Sequence, residues 1–182
     1  MTHSKKRSLQ LVALTPLALA CMAMSAHAAT RVNLHQQDVS NINSRYANAS
    51  VAIGVSKQAS VRHAEMLGLG PDSTLSVLRT STTRDGVRNT RYQQTFRGVP
   101  VYGEHVVVSE DANGQVRALF GRKIDGLAAE LPAVAPRVSS AQALASAKRA
   151  ALGSRLLGMR VQAEDSRQVV FVDDDGRAHM AW

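Results

Sequence analysis

Cysteine is almost absent from this sequence of 182 residues. The one cysteine, Cys21, lies in an apolar run near the N-terminus. If that segment is removed on export, the remaining chain contains no thiol. Disulfide bonds, a cysteine nucleophile and a cysteine-ligated metal site are then excluded.

The sequence also lacks the short motifs that carry catalysis. It has neither the His-Glu-x-x-His motif of zinc enzymes nor the Gly-x-Ser-x-Gly turn of serine hydrolases. Gly98 and Gly103 are not followed by the start of a helix, which excludes a phosphate-binding loop. We therefore predict no catalytic residue, no cofactor-binding residue and no metal ligand in this chain.

Two groups of polar residues could suggest a metal site, but neither has the required spacing. The histidines that follow the N-terminal run belong to separate segments: His35, His63, His105 and His179. The aspartates at 173–175 are consecutive, whereas a calcium loop alternates its oxygen ligands and ends in a glutamate. They are followed by Gly176, and because Asp-Gly is a common hairpin pair, we interpret the segment as a turn.

The excess of basic residues is not clustered. The chain has 22 Lys and Arg against 14 Asp and Glu, a formal net charge of +8, and only 4% aromatic residues. A nucleic-acid surface combines a basic patch with aromatic side chains that stack on bases. Because the basic residues are scattered among acidic ones, we predict no nucleic-acid partner.

The N-terminus has the pattern of a secretory signal peptide. A basic segment, Lys5 to Arg7, precedes an apolar run from Leu9 to about Met24. Ala26-His27-Ala28 is then a small-x-small cleavage pattern, which makes Ala29 the expected first mature residue. The alternative is lipid attachment at Cys21, which follows a poor lipobox. The prediction is a secreted or periplasmic protein with no membrane segment after cleavage.

The rest of the chain predicts an α+β fold in successive segments. The interpretation is an antiparallel β-meander with a helix, followed by a helix with a small sheet. Ser56 and Gly68 are expected to cap the first helix, and Ser139 with Gln142 to form a capping box on the second. The expected segments are a signal peptide at 1–28, an extended lead-in at 29–55 with a possible edge strand at 51–55, a helix and meander at 56–121, a proline-containing connector at 122–138, and the helix with its sheet at 139–182.

One stretch carries a family resemblance. The segment TRYQQTFRGVPVYGEHVVVSEDANGQVRALFG, residues 90–121, resembles the fungalysin/thermolysin propeptide motif of secreted thermolysin-like zinc metallopeptidases. The segments DVSNINSRYANAS and LRTSTTRDGVRNTRYQQ look most like those of vibriolysin- and pseudolysin-type precursors. Residues 139–182 resemble the start of a PepSY domain, which would be truncated here. The positions that carry the motif are Tyr92, Gln94, Gly98, Val99, Pro100, Val101, Tyr102, Gly103 and Glu104.

The resemblance implies a function that involves no catalysis by this chain. A pro-region of this family acts as an intramolecular chaperone and inhibitor of its peptidase domain, which is the implied partner in cis or in trans. Zinc and calcium are expected only in a downstream catalytic domain, so the full precursor would be a zinc metalloendopeptidase.

Two alternatives stay open at the level of the sequence. Residues 177–182 alternate like a strand, which leads us to expect the front part of a longer precursor. A stand-alone exported binding protein or peptidase inhibitor with the same fold is the other interpretation. From the residues alone, Pro100 requires that its strand lie at a sheet edge or contain a bulge, because proline cannot donate a ladder hydrogen bond.

Overall fold

The computed structural model of the chain describes residues 29–53, 58–153 and 164–182. The residues assigned to the signal peptide, among them Cys21, Ala26 and Ala28, lie outside these ranges, as does the expected cap Ser56. Within the described ranges, no helix is both long and apolar enough to cross a membrane.

The described residues form an α+β fold, as the sequence predicts. A single 3-10 turn occupies Leu34–Gln36. The strands are β1 (Thr30–Asn33), β2 (Ser73–Thr82), β3 (Arg88–Phe96), β4 (Val99–Glu110), β5 (Val116–Asp125), β6 (Val169–Val172) and β7 (Ala178–Ala181). The helices are α1 (Val39–Ile53), α2 (Ala59–Met66), α3 (Leu127–Glu130) and α4 (Ser140–Leu152).

All seven of these strands belong to one sheet. The order is β1-β5-β4-β3-β2, and each neighbouring pair is antiparallel. The later strands join the same sheet, because β6 pairs in parallel with β4 at Val101↔Val170, and β7 pairs antiparallel with β6. The part of the chain after α4 therefore extends the sheet formed by the part before it.

Two clusters of apolar side chains hold the sheet in place. One lies between the sheet and the helices α1 and α2, and its buried members are Leu34, Ile42, Leu67, Leu75, Tyr92, Val106, Val108, Val116 and Leu119. The other lies where β6 and β7 join the sheet, and its buried members are Ala29, Phe96, Val101, Ile124, Leu127, Leu131, Val170, Val172 and Ala178. Burial of these side chains is the main favourable term in folding.

The prediction of an extended segment at 29–55 is wrong in its second half. Residues Val39–Ile53 form a helix, which includes the described part, 51–53, of the possible edge strand, and the described strand of this segment is Thr30–Asn33. Asp38 begins the helix, since its side-chain Oδ1 accepts the Asn41 N–H at 3.1 Å. The apolar face consists of few residues within a polar sequence, which is why the pattern was too weak to identify.

The N-cap of α2 is Gln58 and not the expected Ser56, whereas the local signals at the end of α2 and the start of α4 agree with the structure. Ser139 and Gln142 form the expected capping box on α4. Gly68 follows α2 with φ of 68°. The connector at 122–138 is shorter than expected, because β5 continues to Asp125 and Leu127–Glu130 forms a helical turn.

Candidate functional site

The hairpin of β3 and β4 contains a large irregularity. Its register runs from Gln93↔His105 to Thr95↔Pro100, so one residue of β3 lies opposite the four residues 101–104 of β4. β4 is an interior strand of the sheet. Of the two arrangements that Pro100 allowed, the structure therefore has the bulge.

The side chain of Gln93 fills the opening that the bulge creates. Its Nε2 lies 2.6 Å from the carbonyl oxygen of Val101, 3.0 Å from that of Glu104 and 3.1 Å from that of Gln94. In the β3–β4 ladder none of these three residues has a cross-strand partner, and a buried carbonyl without a hydrogen bond is costly. The sequence analysis missed Gln93, because no local pattern indicates which carbonyls a bulge will leave unpaired.

The side chain of Gln94 makes the pair of hydrogen bonds that the backbone of a neighbouring strand would make. Its Nε2 donates to the carbonyl oxygen of Ile124 at 2.8 Å, and its Oε1 accepts the Ile124 N–H at 2.8 Å. The side chain is fully buried. It thus links β3 to β5 across the place where β4 bulges away.

Removing the amide of Gln94 should destabilise the fold by about 2–4 kcal/mol, because the Ile124 N–H and carbonyl would both lose their partners. We expect Gln94→Met, which keeps the length of the side chain, to show this loss in urea denaturation. Gln115→Met is the control, since Gln115 is exposed, and it should change stability by less than about 0.5 kcal/mol. Equal stability of the two variants would contradict this role of Gln94.

Glu104 forms a second link beside the bulge. It is 3% exposed and accepts from Arg31 Nε at 3.1 Å and from Arg122 Nε at 3.0 Å. The Arg31 guanidinium also donates to the carbonyl oxygens of Val172 and Asp173. Because these residues lie on or next to four strands, the carboxylate joins β1, β4 and β5 to the end of β6.

The other motif residues shape the turn and one side of the core. Gly98 has φ of 82° and Gly103 has φ of 75°, a conformation that favours glycine. Val101 is fully buried, and Val99 packs against the same cluster. Tyr102 differs, since it is 61% exposed.

Tyr102 lies beside another exposed aromatic ring. Its ring centroid is 6.3 Å from that of Phe171, at an interplanar angle of 52°. The parallel pairing of β4 with β6 brings the two residues together. The motif residues therefore act mainly as scaffold, with one aromatic side chain presented to solvent.

Arg97, next to the motif glycine, also has a structural role that the sequence did not indicate. Its guanidinium pairs with Asp72 at 2.8 Å and donates to the carbonyl oxygens of Leu131 and Pro132. These contacts fasten the connector to the β3–β4 turn.

A buried polar network lies at the opposite end of the hairpin. His63 Nε2 is 3.0 Å from Glu110 Oε2, and His63 Nδ1 is 2.7 Å from the Tyr92 hydroxyl. A neutral imidazole satisfies both contacts, because one nitrogen donates and the other accepts. Burial lowers the pKa of His63; the Glu110 carboxylate opposes this, and Arg62 and Arg88 lower the pKa further.

The lowered pKa of His63 makes the stability depend on pH. The unfolded chain binds this proton more readily than the folded chain, so the free energy of unfolding should rise with pH. This contribution is complete above the pKa of an unfolded histidine, about 6.5, and is lost as the pH falls from there toward the lower folded-state pKa. Denaturation at pH 5, 6 and 7 should show a steeper decline in the wild type than in His63→Gln, and parallel profiles would contradict the prediction.

A comparison with known protein families finds a match to the strands around the bulge. Residues 73–122 match the family described as Fungalysin/Thermolysin Propeptide Motif. Residues 73–122 thus carry the fungalysin/thermolysin propeptide motif. This propeptide motif covers β2, β3, β4 and most of β5, and so contains both the bulge and the residues that stabilise it.

Two relatives of the chain are proteases. It is 33% identical over 112 residues to the hemagglutinin/proteinase of Vibrio cholerae, an alignment that covers 60% of this chain and 18% of that protein. It is 28% identical over 151 residues to the transglutaminase-activating metalloprotease of Streptomyces mobaraensis, covering 81% of this chain and 19% of that protein. The chain thus spans less than a fifth of the length of either relative.

A propeptide motif fits a noncatalytic part of a metalloprotease precursor. In the described ranges, no group of three or more His, Cys, Asp or Glu side chains is placed to hold a metal ion. The side chains of Gln93, Gln94 and Glu104 around the bulge join strands to one another. The contacts of Gln93, Gln94 and Glu104 give this region the geometry of a scaffold.

Proposed function

We propose that the chain is the pro-region of an exported thermolysin-like zinc metallopeptidase, and that it acts on the peptidase domain as an intramolecular chaperone and inhibitor. The observation that carries the proposal is the match of residues 73–122 to the propeptide motif. The structural roles of Gln94 and Glu104 are a second support. Both are motif positions and both hold strands of one sheet together, which is the role expected of residues that specify a fold.

Several finer assignments belong to this proposal. The signal peptide is cleaved after Ala28, and the partner is the peptidase domain of the same precursor, which binds the zinc and calcium. Residues 139–182 belong to a PepSY-like domain. N-terminal sequencing of the exported chain should begin at Ala29, whereas an acylated Cys21 would contradict the proposed cleavage.

The chaperone role is tested by refolding. The peptidase domain of the precursor is unfolded in denaturant and diluted with or without an equimolar amount of the exported chain. The regain of casein hydrolysis is measured after the chain has been degraded. We expect a clear increase with the chain and none with hen lysozyme, a basic protein of similar size that controls for charge.

The inhibitor role is tested on the native peptidase domain. Preincubation with the chain should reduce casein hydrolysis in proportion to its concentration. Inhibition without assisted refolding would favour the stand-alone inhibitor, and the absence of both effects would contradict the proposal. The chain alone should not hydrolyse casein.

A further inference from the structure

The sheet has one face that the helices do not cover. Residues paired across antiparallel strands project to the same side, and the register pairs Val107 with both Arg91 and Phe120, and Arg91 with Arg79. These four residues, Arg79, Arg91, Val107 and Phe120, form what we call the open face. Phe120 is 52% exposed and both arginines are exposed, so no described element covers this face.

The two arginines of the open face lie directly opposite each other. Like charges at such cross-strand positions destabilise a sheet. All fourteen acidic residues of the sequence lie within the described ranges. Among the ion pairs and side-chain hydrogen bonds of the described residues, none joins the guanidinium of Arg79 or Arg91 to an acidic residue. The chain therefore supplies no acidic partner for either guanidinium.

Other arginines of the sheet, and Arg62 on helix α2, do have acidic partners. Arg31 and Arg122 share Glu104, Arg62 and Arg88 share Glu110, and Arg117 pairs with Asp111. The open face thus combines an uncompensated pair of positive charges with two apolar side chains, Val107 and Phe120. Interfaces between proteins commonly have this composition, with aromatic and arginine residues enriched.

We propose that the open face is a docking surface for an acidic patch of the peptidase domain, with Arg79 and Arg91 binding carboxylates and Phe120 packing at the centre. The proposal rests on the proposed function. A second copy of this chain is a poorer occupant, because a two-fold interface brings the same arginines face to face. An anionic membrane surface is also less suitable, since such binding uses clusters of about four to eight basic residues.

The test separates binding from folding by changing the cross-strand pair of Arg79 and Arg91, where one substitution should affect the two properties in opposite directions. Arg79→Glu places an opposite charge across from Arg91, which should raise the melting temperature. The same variant should weaken binding to the peptidase domain, because it repels the acidic patch. Arg84→Glu is the matched control: it makes the same charge change on the same hairpin, at an exposed turn position outside the open face.

Binding is measured by surface plasmon resonance with immobilised peptidase domain at low and high salt. We expect Arg79→Glu with Arg91→Glu to raise the dissociation constant by about tenfold or more at low salt, mainly through slower association. High salt should weaken the wild type and reduce this difference. Phe120→Ser should raise the dissociation constant through faster dissociation, and Arg84→Glu should stay within about twofold of the wild type.

The outcomes distinguish this inference from the proposed function. If the wild type binds and the double variant binds equally well, the docking surface is elsewhere and the inference is overturned. If the wild type fails to bind, inhibit or assist refolding, the proposed function fails and the inference with it. Binding to phosphatidylglycerol vesicles that the double variant loses, with peptidase binding unchanged, would identify a membrane surface and overturn the inference.

Discussion

Replacing Gly121 by alanine should destabilise the fold by about 3–5 kcal/mol, through backbone strain and overpacking together. Gly121 has φ of 86°, and a Cβ at this position would lie 2.0 Å from the carbonyl oxygen of His105. That oxygen belongs to the backbone of β4, so it cannot move without separating β4 from β5. Guanidinium denaturation of Gly121→Ala should therefore show a large fall in the midpoint.

Gly86→Ala provides the matched control for this prediction. Gly86 has φ of 83°, nearly the same conformation, but a Cβ there would meet nothing within 4 Å. Its loss should be about 1 kcal/mol, which is the cost of the conformation alone. If the two variants lost equal stability, the contact with β4 would not be the cause.

Removing the Glu110 carboxylate should have an effect of similar size, about 3–5 kcal/mol, because breaking a buried ion pair leaves charges without compensation. Glu110 is 1% exposed and accepts from Arg62 Nη2 at 2.5 Å, His63 Nε2 at 3.0 Å and Arg88 Nη1 at 3.2 Å. In Glu110→Ala, Arg62 and His63 would stay partly or fully buried beside a cavity. The measurement is the free energy of unfolding in urea at pH 7.

The control for Glu110 is Asp174→Ala. Asp174 is an exposed acidic residue in the turn between β6 and β7. Its removal changes the net charge by the same amount and should alter stability by less than about 0.5 kcal/mol. A comparable loss in both variants would mean that net charge, and not the buried network, accounts for the effect.

The sequence predicts those features of the structure that depend on residues close to one another along the chain. The capping box of Ser139 and Gln142, and the positive φ of Gly68 at the end of α2, are properties of a few consecutive positions. The helix α1 was missed because its apolar face depends on Val39, Ile42 and Tyr46 within a polar segment, and such a pattern is weaker than that of α4.

The contacts that define the candidate site could not be derived in this way. Gln94 bonds a strand 30 residues away, and Arg31 reaches Val172, 141 residues along the chain. These partners are set by strand register, which depends on how the whole sheet assembles. Pro100 predicted that the ladder must be interrupted, but no sequence rule indicates which side chains then replace it.

The parallel pairing of β6 with β4 has a consequence for the order of folding events. Val101 and Val170 are about 70 residues apart, and contacts between such distant residues form slowly because a long loop must close first. During synthesis from the N-terminus, β1 to β5 leave the ribosome before β6. During that interval, the backbone hydrogen-bonding groups of β4 on the side that will face β6 have no strand partner. The sheet is completed only when residues 169–172 arrive.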